Sequence, residues 1–204
     1  MTIRAVAFDV GGVLMRPGPF GDFKEAWQER LGMTQAEFGL ALASVDPDGL
    51  AFTGRLSLTQ FTARHSTALG LPAGQADEFM AEMWAMSSGE LDAELVAYAA
   101  SLRPRYSTAI LSDAIDGSRR WNQDRYGFDE LVDVIIYSYE VGLAKPDPMV
   151  YRLLCDRLAV SPAEVVFLDD RPENVQGACE LGIHALLHES TAQSIKAVDA
   201  LLAS

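Results

Sequence analysis

The sequence is short of several residue types and patterns, and each shortage excludes a class of protein. It contains two cysteines and three histidines. Cys155 and Cys179 fall in helical patterns and the histidines lack the spacing of metal ligands, which argues against a disulfide framework or a zinc site. No apolar run approaches the ~18 residues of a membrane span. No leader precedes the first predicted strand, so we expect a cytoplasmic protein.

Basic residues are also scarce. Sixteen lysines and arginines stand against 29 aspartates and glutamates, which gives a formal net charge of −13. Binding to nucleic acid or to an anionic membrane needs a basic surface, so we expect neither partner. A small phosphorylated substrate is compatible with this charge if a cation lies in the site. The sequence leaves open whether the protein is a monomer or a homodimer.

The most informative stretch is IRAVAFDVGGVL at residues 3–14. Its apolar beginning predicts a buried strand, and the carboxylate of Asp9 is placed at the carboxyl end of that strand. In an open α/β sheet that end borders the ligand crevice. Gly11 and Gly12 then allow a sharp turn and a close approach of the backbone to a ligand.

The rest of the chain divides into two patterns. Residues 16–89 predict helices without strands, and a cluster of helix-breaking residues precedes the first helix. From residue 90 helices alternate with apolar runs that predict strands at 106–111, 132–137, 165–168 and 183–187. We therefore predict an α/β fold, a Rossmann-like, doubly wound parallel sheet in three α/β/α layers. Residues 1–15 and 90–204 form this core domain, and 16–89 form an inserted helical cap domain.

Polar side chains follow three of the predicted strands: Asp9, Ser112 and the pair Asp169 and Asp170. Parallel strands bring these ends to one edge, where a loop also places Lys145. Carboxylates this close repel one another unless a cation joins them, and hard oxygen ligands without histidine or thiolate favour Mg²⁺. Three aspartates and one lysine leave a net charge of −2, which Mg²⁺ neutralises.

The order of these residues resembles the four motifs of the haloacid dehalogenase superfamily. The motifs are Asp9-x-Gly-Gly-Val-Leu, Leu-Ser112, Lys145-Pro-Asp-Pro and Asp169-Asp170-x-x-x-Asn174, and they extend over essentially the whole chain. The sequence is most similar to the branch with a helical cap inserted between the first and second motifs, which includes sugar-phosphate phosphatases. The resemblance implies an Mg²⁺-dependent phosphatase that hydrolyses a small phosphorylated metabolite, such as a sugar phosphate.

The resemblance also implies roles for individual residues. Asp9 is expected to attack phosphorus and to form an aspartyl-phosphate. Ser112 is expected to hydrogen-bond a phosphoryl oxygen, and Lys145 to offset the charge of the nucleophile and the phosphoryl group. The backbone N–H groups of Val10 and Gly11 are expected to bind further phosphoryl oxygens.

The same resemblance implies the metal ligands. Asp9, the backbone carbonyl of Gly11 and the carboxylate of Asp170 are expected to hold Mg²⁺, with Asp169 helping, through a water or directly. Asn174 is expected to orient the site lysine or a metal-bound water, or else to cap its helix.

Two positions depart from the pattern of the superfamily. Its phosphatases usually carry an aspartate that acts as acid and base two residues after the nucleophile, where this chain has Gly11. Losing acid–base help costs about 10²–10⁴ in rate, so we expect slow turnover or a bias toward good leaving groups such as anomeric or aryl phosphates. Asp113, at the predicted substrate site, stands where this branch often has Asn. We expect it to pair with Arg119, Arg120 or Arg171, or to be protonated.

Two other functions are compatible with the same residues. A metal-independent 2-haloacid dehalogenase would use Asp9 to attack carbon, although that branch usually has a bulky aromatic side chain in place of Gly11. A weakly active phosphate-binding relative would keep the site and lose turnover because the acid–base group is missing.

Residues of the insertion give weaker signals. Met80, Met83 and Trp84 fit packing within the cap better than a cofactor site. Arg55 and Asp46 lie in predicted loops near the crevice, which makes them weak candidates for substrate selection.

Overall fold

The computed structural model describes residues 2–16, 18 and 20–203. The strands are β1 Ala5–Phe8, β2 Met15–Arg16, β3 Glu90–Leu91, β4 Ser107–Ser112, β5 Val134–Tyr137, β6 Val165–Asp169 and β7 His184–Leu187. The helices are α1 Phe20–Leu31, α2 Gln35–Val45, α3 Leu58–Leu69, α4 Gln75–Ser88, α5 Ala93–Ser101, α6 Ser118–Tyr126, α7 Phe128–Leu131, α8 Ser138–Val141, α9 Pro148–Leu158, α10 Pro172–Glu180 and α11 Thr191–Leu202. Each helix in these residues is too short or too polar to cross a membrane.

Five strands form one parallel sheet in the order β5-β4-β1-β6-β7. The chain winds outward from β1 through β4 to β5, and then returns to the other side of β1 to add β6 and β7. The order of the strands therefore reverses between β1 and β6, and a doubly wound sheet opens its ligand crevice at that point. The predicted α/β fold with an inserted helical segment is confirmed.

The sheet is buried on both faces, as β1 shows. Val6 and Phe8 point into one apolar cluster, which contains Leu95 of α5. Ala5 and Ala7 point into a second cluster on the opposite face. Since side chains alternate along a strand, a strand covered by helices on both sides has apolar residues at every position. This is why the first strand appears in the sequence as a continuous apolar run.

Helices α1 to α4 lie between β2 and β3 and have an apolar core of their own. Trp27, Phe38 and Phe79 are fully buried in it. Met80 is buried in the same cluster and Met83 and Trp84 pack against it, so the prediction that these side chains pack the insertion is confirmed. The domain boundaries at residues 16 and 89 stay a prediction.

A short ribbon joins the insertion to the sheet, and the sequence analysis missed it. Met15 and Arg16 of β2 pair antiparallel with Leu91 and Glu90 of β3, so the prediction that residues 16–89 contain no strand is wrong at Arg16. Two residues carry too little pattern to indicate a strand, and this pair forms because the chain leaves and re-enters the core at one place. Of the predicted breaker cluster, positions 17 and 19 lie outside the described residues.

Asp92 connects this ribbon to helices α5 and α11 through hydrogen bonds. Its buried carboxylate accepts the N–H of Leu95 at 3.0 Å, where it caps α5, and the Nη2 of Arg16 at 2.7 Å. It also accepts the hydroxyl of Thr191 at the start of α11. Burial acts to raise the pKa of Asp92, but these three hydrogen bonds outweigh it and lower the pKa to about 2.

We predict that Asp92→Asn lowers the free energy of unfolding by about 1–2 kcal/mol at pH 7, because the amide cannot replace charge-assisted hydrogen bonds. The folded-state pKa of Asp92 lies below the unfolded value, so its stabilising effect is present above pH ~4 and is lost as the pH falls toward about 2. Urea denaturation of both proteins should therefore show a smaller difference at pH 3 than at pH 7.

The matched control is Asp147→Asn, which changes the N-cap of α9 at an exposed site and should cost less than the Asp92 variant. A difference between wild type and Asp92→Asn that stays constant from pH 7 to pH 3 would show that the carboxylate charge does not stabilise the fold.

Candidate active site

Three strands deliver polar side chains to one edge of the sheet. Asp9 directly follows β1, Ser112 ends β4 and Asp169 ends β6. Because β1 and β6 are neighbours, with Phe8 opposite Leu168, their next residues come together beside the switch point. The loop between α8 and α9 brings Lys145 to the same place.

Lys145 is the buried centre of this group. Its ammonium lies 2.9 Å from Asp9 Oδ1 and 2.6 Å from Asp169 Oδ2, and it donates to the backbone carbonyl of Leu111 at 3.2 Å. These three acceptors match the three N–H bonds of the ammonium. Burial acts to lower the pKa of Lys145, but the two aspartates outweigh it and raise the pKa. The lysine is therefore held in its charged form.

Asp9 is 7% exposed. Burial raises the pKa of Asp9 to about 6, and the nearby negative charge of Asp169 adds to this rise while Lys145 opposes it. Its Oδ1 lies 2.9 Å from the ammonium of Lys145. A carboxylate that is poorly solvated and held by one cation is a good arrangement for a nucleophile.

Asp169 holds the lysine in place and is itself held by its neighbours. Its Oδ1 accepts the N–H of Arg171 at 2.9 Å and the amide of Asn174 at 3.0 Å. Its Oδ2 accepts Lys145 and, at 3.1 Å, the same amide. Asn174 was predicted to orient Lys145 or a metal-bound water, or to cap its helix. Its amide donates to Asp169, the same carboxylate that accepts from Lys145.

Asp9, Asp169 and Asp170 offer carboxylate oxygens that all lie within 4.8 Å of one another. Oxygen ligands alone suit a hard cation such as Mg²⁺. The backbone of Gly12 lies directly beside this cluster. Gly12 adopts φ +78°, and a Cβ at this position would lie 2.2 Å from Asp170 Oδ2, so a side chain there would displace the carboxylate. The residues present therefore fit a divalent cation. Asp169 already uses both of its oxygens, so Asp9 and the exposed Asp170 are the better placed ligands.

The predicted pairing of Asp113 with an arginine is wrong. Its Oδ1 instead accepts the backbone N–H of Lys145 at 3.0 Å, so the side chain shapes the loop that carries the lysine. Burial raises the pKa of Asp113, against the opposing charge of Lys145. The three candidate partners pair elsewhere: Arg119 with Glu140 and Asp129, Arg120 with Asp124, and Arg171 with Glu173.

A cavity of about 270 Å³ opens from the site toward the insertion. Four residues predicted to bind substrate, Val10, Gly11, Ser112 and Asp113, line it at the sheet edge. The insertion contributes apolar side chains to the opposite wall, namely Phe52, Phe61, Met83 and Trp84. Sequence reasoning assigned Met83 and Trp84 to packing alone and passed over the two phenylalanines. An aromatic residue in a predicted loop, as at Phe52, was the one available signal.

The two loop residues suggested for substrate selection do not line this cavity. Both carboxylate oxygens of Asp46 accept backbone N–H groups of its own turn, from Leu50 and Ala51 at 2.8 Å each. Asp46 therefore stabilises the turn, and Arg55 is absent from the described residues around the cavity.

Comparison with known proteins identifies the family. The model of the haloacid dehalogenase-like hydrolases matches residues 3–182. The chain belongs to this family of hydrolases, in agreement with the motifs and with the helical insertion after the first of them.

Individual relatives resemble the chain over most of its length. It is 27% identical over 217 residues to bifunctional epoxide hydrolase 2 of Mus musculus, covering 98% of this chain but 39% of that protein. It is 28% identical over 205 residues to phosphatase MT3486 of Mycobacterium tuberculosis, covering 95% of this chain and 91% of that one. The chain thus spans about two fifths of the length of the epoxide hydrolases that it matches.

Among solved structures, a HAD family enzyme of Bacteroides thetaiotaomicron in complex with magnesium and inorganic phosphate has the same fold. The TM-score is 0.76 at 20% identity, and the match covers 93% of this chain and 96% of that one.

We predict that Lys145→Met lowers the free energy of unfolding by about 3–5 kcal/mol in EDTA at pH 8, because it leaves two buried carboxylates without their cation. Burial raises the pKa of Asp9 to about 6 even with the lysine present, so the loss should shrink as the pH falls to 5 and this carboxylate takes up a proton. Urea denaturation at the two pH values measures this change.

The matched control is the double variant Lys145→Met with Asp169→Asn. It removes one of the two orphaned charges and should recover part of the lost stability, even though Asp169→Asn alone is destabilising. Additive losses in the double variant would contradict the close coupling of these two side chains.

Proposed function

We propose that this hydrolase is an Mg²⁺-dependent phosphatase that cleaves a small phosphorylated metabolite through an aspartyl-phosphate on Asp9. The observation that carries the proposal is the buried lysine shared by Asp9 and Asp169, 2.9 and 2.6 Å from their oxygens, beside an all-carboxylate cluster. The phosphatase relative and the magnesium and phosphate complex of the structural relative support it.

The magnesium ligands are proposed to be a carboxylate oxygen of Asp9, the carboxylate of Asp170 and the backbone carbonyl of Gly11. When bound, the ion screens the negative charge of the cluster and draws electron density from a phosphoryl oxygen. Asp169 serves mainly to hold Lys145, since its two oxygens accept four hydrogen bonds from protein groups.

In the first step an oxygen of Asp9 attacks phosphorus, and the bond between phosphorus and the ester oxygen breaks. The hydroxyl of Ser112 and the N–H groups of Val10 and Gly11 donate to the phosphoryl oxygens as their negative charge develops. Lys145 stays protonated and limits the cost of bringing a phosphate dianion to a carboxylate. The products of this step are the free alkoxide, which takes a proton from water, and the aspartyl-phosphate.

In the second step water attacks the phosphorus, inorganic phosphate leaves and the Asp9 carboxylate is restored. Gly11 provides no carboxylate to protonate the leaving oxygen or to activate this water. Turnover should therefore be slow, or should favour esters whose alkoxide leaves without a proton, such as aryl or anomeric phosphates.

We predict that EDTA abolishes hydrolysis of p-nitrophenyl phosphate and that added Mg²⁺ restores it, because the acidic cluster needs a cation to accept the substrate. Asp9→Asn should lower kcat by at least about 10³-fold, since it removes the nucleophile. Release of p-nitrophenol and acid-stable trapping of phosphate on the wild-type protein measure both effects.

The same assay separates the proposal from its alternatives. Halide release from a 2-haloacid in EDTA would show that the protein is a metal-independent dehalogenase and not a phosphatase. A phosphoenzyme that forms but is not hydrolysed would show that the protein is the weakly active phosphate-binding relative.

We predict that Gly11→Asp raises kcat at least about tenfold on an alkyl phosphate and much less on p-nitrophenyl phosphate, because only the alkoxide needs a proton from a general acid. The substitution is sterically allowed, since a Cβ at Gly11 meets no atom within 4 Å. Steady-state kinetics on both esters gives the comparison.

Gly11→Asn is the matched control, with the same size and no acid. Equal rates for the Asp and Asn variants on the alkyl ester would show that position 11 does not supply the missing proton.

A further inference from the structure

We propose that the ester group of the substrate is uncharged and largely apolar, about the size of one aromatic ring, and binds between the insertion and the sheet edge. This inference rests on the proposed phosphatase function and concerns the part of the substrate that leaves as an alcohol. The cavity adjoins the proposed phosphoryl site, because Val10, Gly11 and Ser112, which we propose to bind the phosphoryl oxygens, line it.

The walls of the cavity are mainly apolar. Phe52, Phe61, Met83 and Trp84 line it from the insertion and Ile115 lines it from the core. Aromatic faces and a thioether offer a ring close packing from several directions. A sugar or polyol would lose the water around its hydroxyls against these side chains and find few replacement hydrogen bonds.

The charge of the cavity lining further limits which ester groups can bind. Among the described residues around the cavity, Asp113 is the one ionisable side chain and none is basic. A second carboxylate or phosphate on the substrate would therefore be desolvated without a cationic partner, which is costly. Lys145 cannot serve, since its three N–H bonds are already directed at Asp9, Asp169 and a backbone carbonyl.

The apolar wall is held in position by contacts with the core. Gly54 adopts φ +68° and lies so close to α8 that a Cβ would be 2.1 Å from the carbonyl oxygen of Tyr139. The turn that carries Phe52 therefore lies directly against α8. Trp84 of α4 stacks on Trp121 of α6, with ring centroids 5.7 Å apart. The shape of the cavity is therefore set by contacts between the insertion and the core.

The volume of the cavity is sufficient for an ester group of about one ring. An apolar cavity of about 150 Å³ is large enough for benzene, and this one has about 270 Å³. Polar side chains also line it, namely Ser118 and Asn122 of α6 and Ser87 of α4. The amide nitrogen of Asn122 donates to the hydroxyl of Tyr137 at 3.0 Å, so part of this polar side chain is already used within the protein.

The first test measures binding, so that it does not depend on turnover. Calorimetry with saturating Mg²⁺ compares benzylphosphonate with 4-carboxybenzylphosphonate, methylphosphonate and the phosphonate analogue of a five-carbon polyol phosphate. Benzylphosphonate should bind at least about tenfold tighter than each of the others, because only its ring is buried without an uncompensated polar group. Equal or tighter binding of any other compound would overturn the inference.

The second test changes the charge of the wall. Phe52→Arg adds a cation at a residue that lines the cavity and is 45% exposed. It should improve the affinity for 4-carboxybenzylphosphonate relative to benzylphosphonate by about two- to fivefold, the range of an exposed ion pair. Leu40→Arg adds the same charge on α2 at a side chain that is 73% exposed and outside the cavity lining, and it should leave the ratio unchanged. An equal shift in both variants would overturn the inference.

Hydrolysis distinguishes failure of the ligand preference from failure of the phosphatase proposal. Preferred binding of benzylphosphonate without hydrolysis of any phosphomonoester would refute the phosphatase and leave the preference standing. Hydrolysis of a polyol phosphate as readily as benzyl phosphate would refute the preference and leave the phosphatase standing.

Discussion

The buried contact of Lys145 with two aspartates is the interaction on which the site depends. Carboxylates at the ends of adjacent strands could not both stay ionised out of water without a cation between them. The lysine meets this need inside the protein, and the exposed Asp170 adds a third carboxylate to the same cluster. One permanent cation thus supports the fold, while the remaining negative charge fits the divalent ion that we propose for this site.

The topology of the sheet explains why residues so distant in sequence meet. Asp9 lies at the beginning of the chain, whereas Lys145 and Asp169 both lie in its last third. The first and last of these end neighbouring strands, because β6 is laid beside β1 after the chain has finished the other half of the sheet. A strand order in which β1 and β6 were not neighbours would separate these two aspartates. The site therefore depends on how the sheet is wound.

Much of this could be predicted from sequence, and the exceptions have physical causes. Buried parallel strands give continuous apolar runs, and a carboxylate at the end of one is conspicuous, so the sheet could be predicted, and with it the proximity of Asp9, Lys145 and Asp170. The contact of Asn174 with Asp169 and the loop contact of Asp113 depend on side-chain rotation, which no periodicity records. The apolar cavity depends on how the insertion packs against the core, and residues such as Met83 look the same whether they pack or face a ligand.

The paired strands β2 and β3 have a consequence for how the protein can vary. The chain enters and leaves the helical insertion at adjacent residues, with the N–H of Asp92 bonded to the carbonyl of Leu14. A segment with neighbouring ends can be lengthened, shortened or replaced while the register of the sheet stays the same. The helical insertion that covers the site can therefore be replaced during evolution, while the residues at the edge of the sheet stay the same.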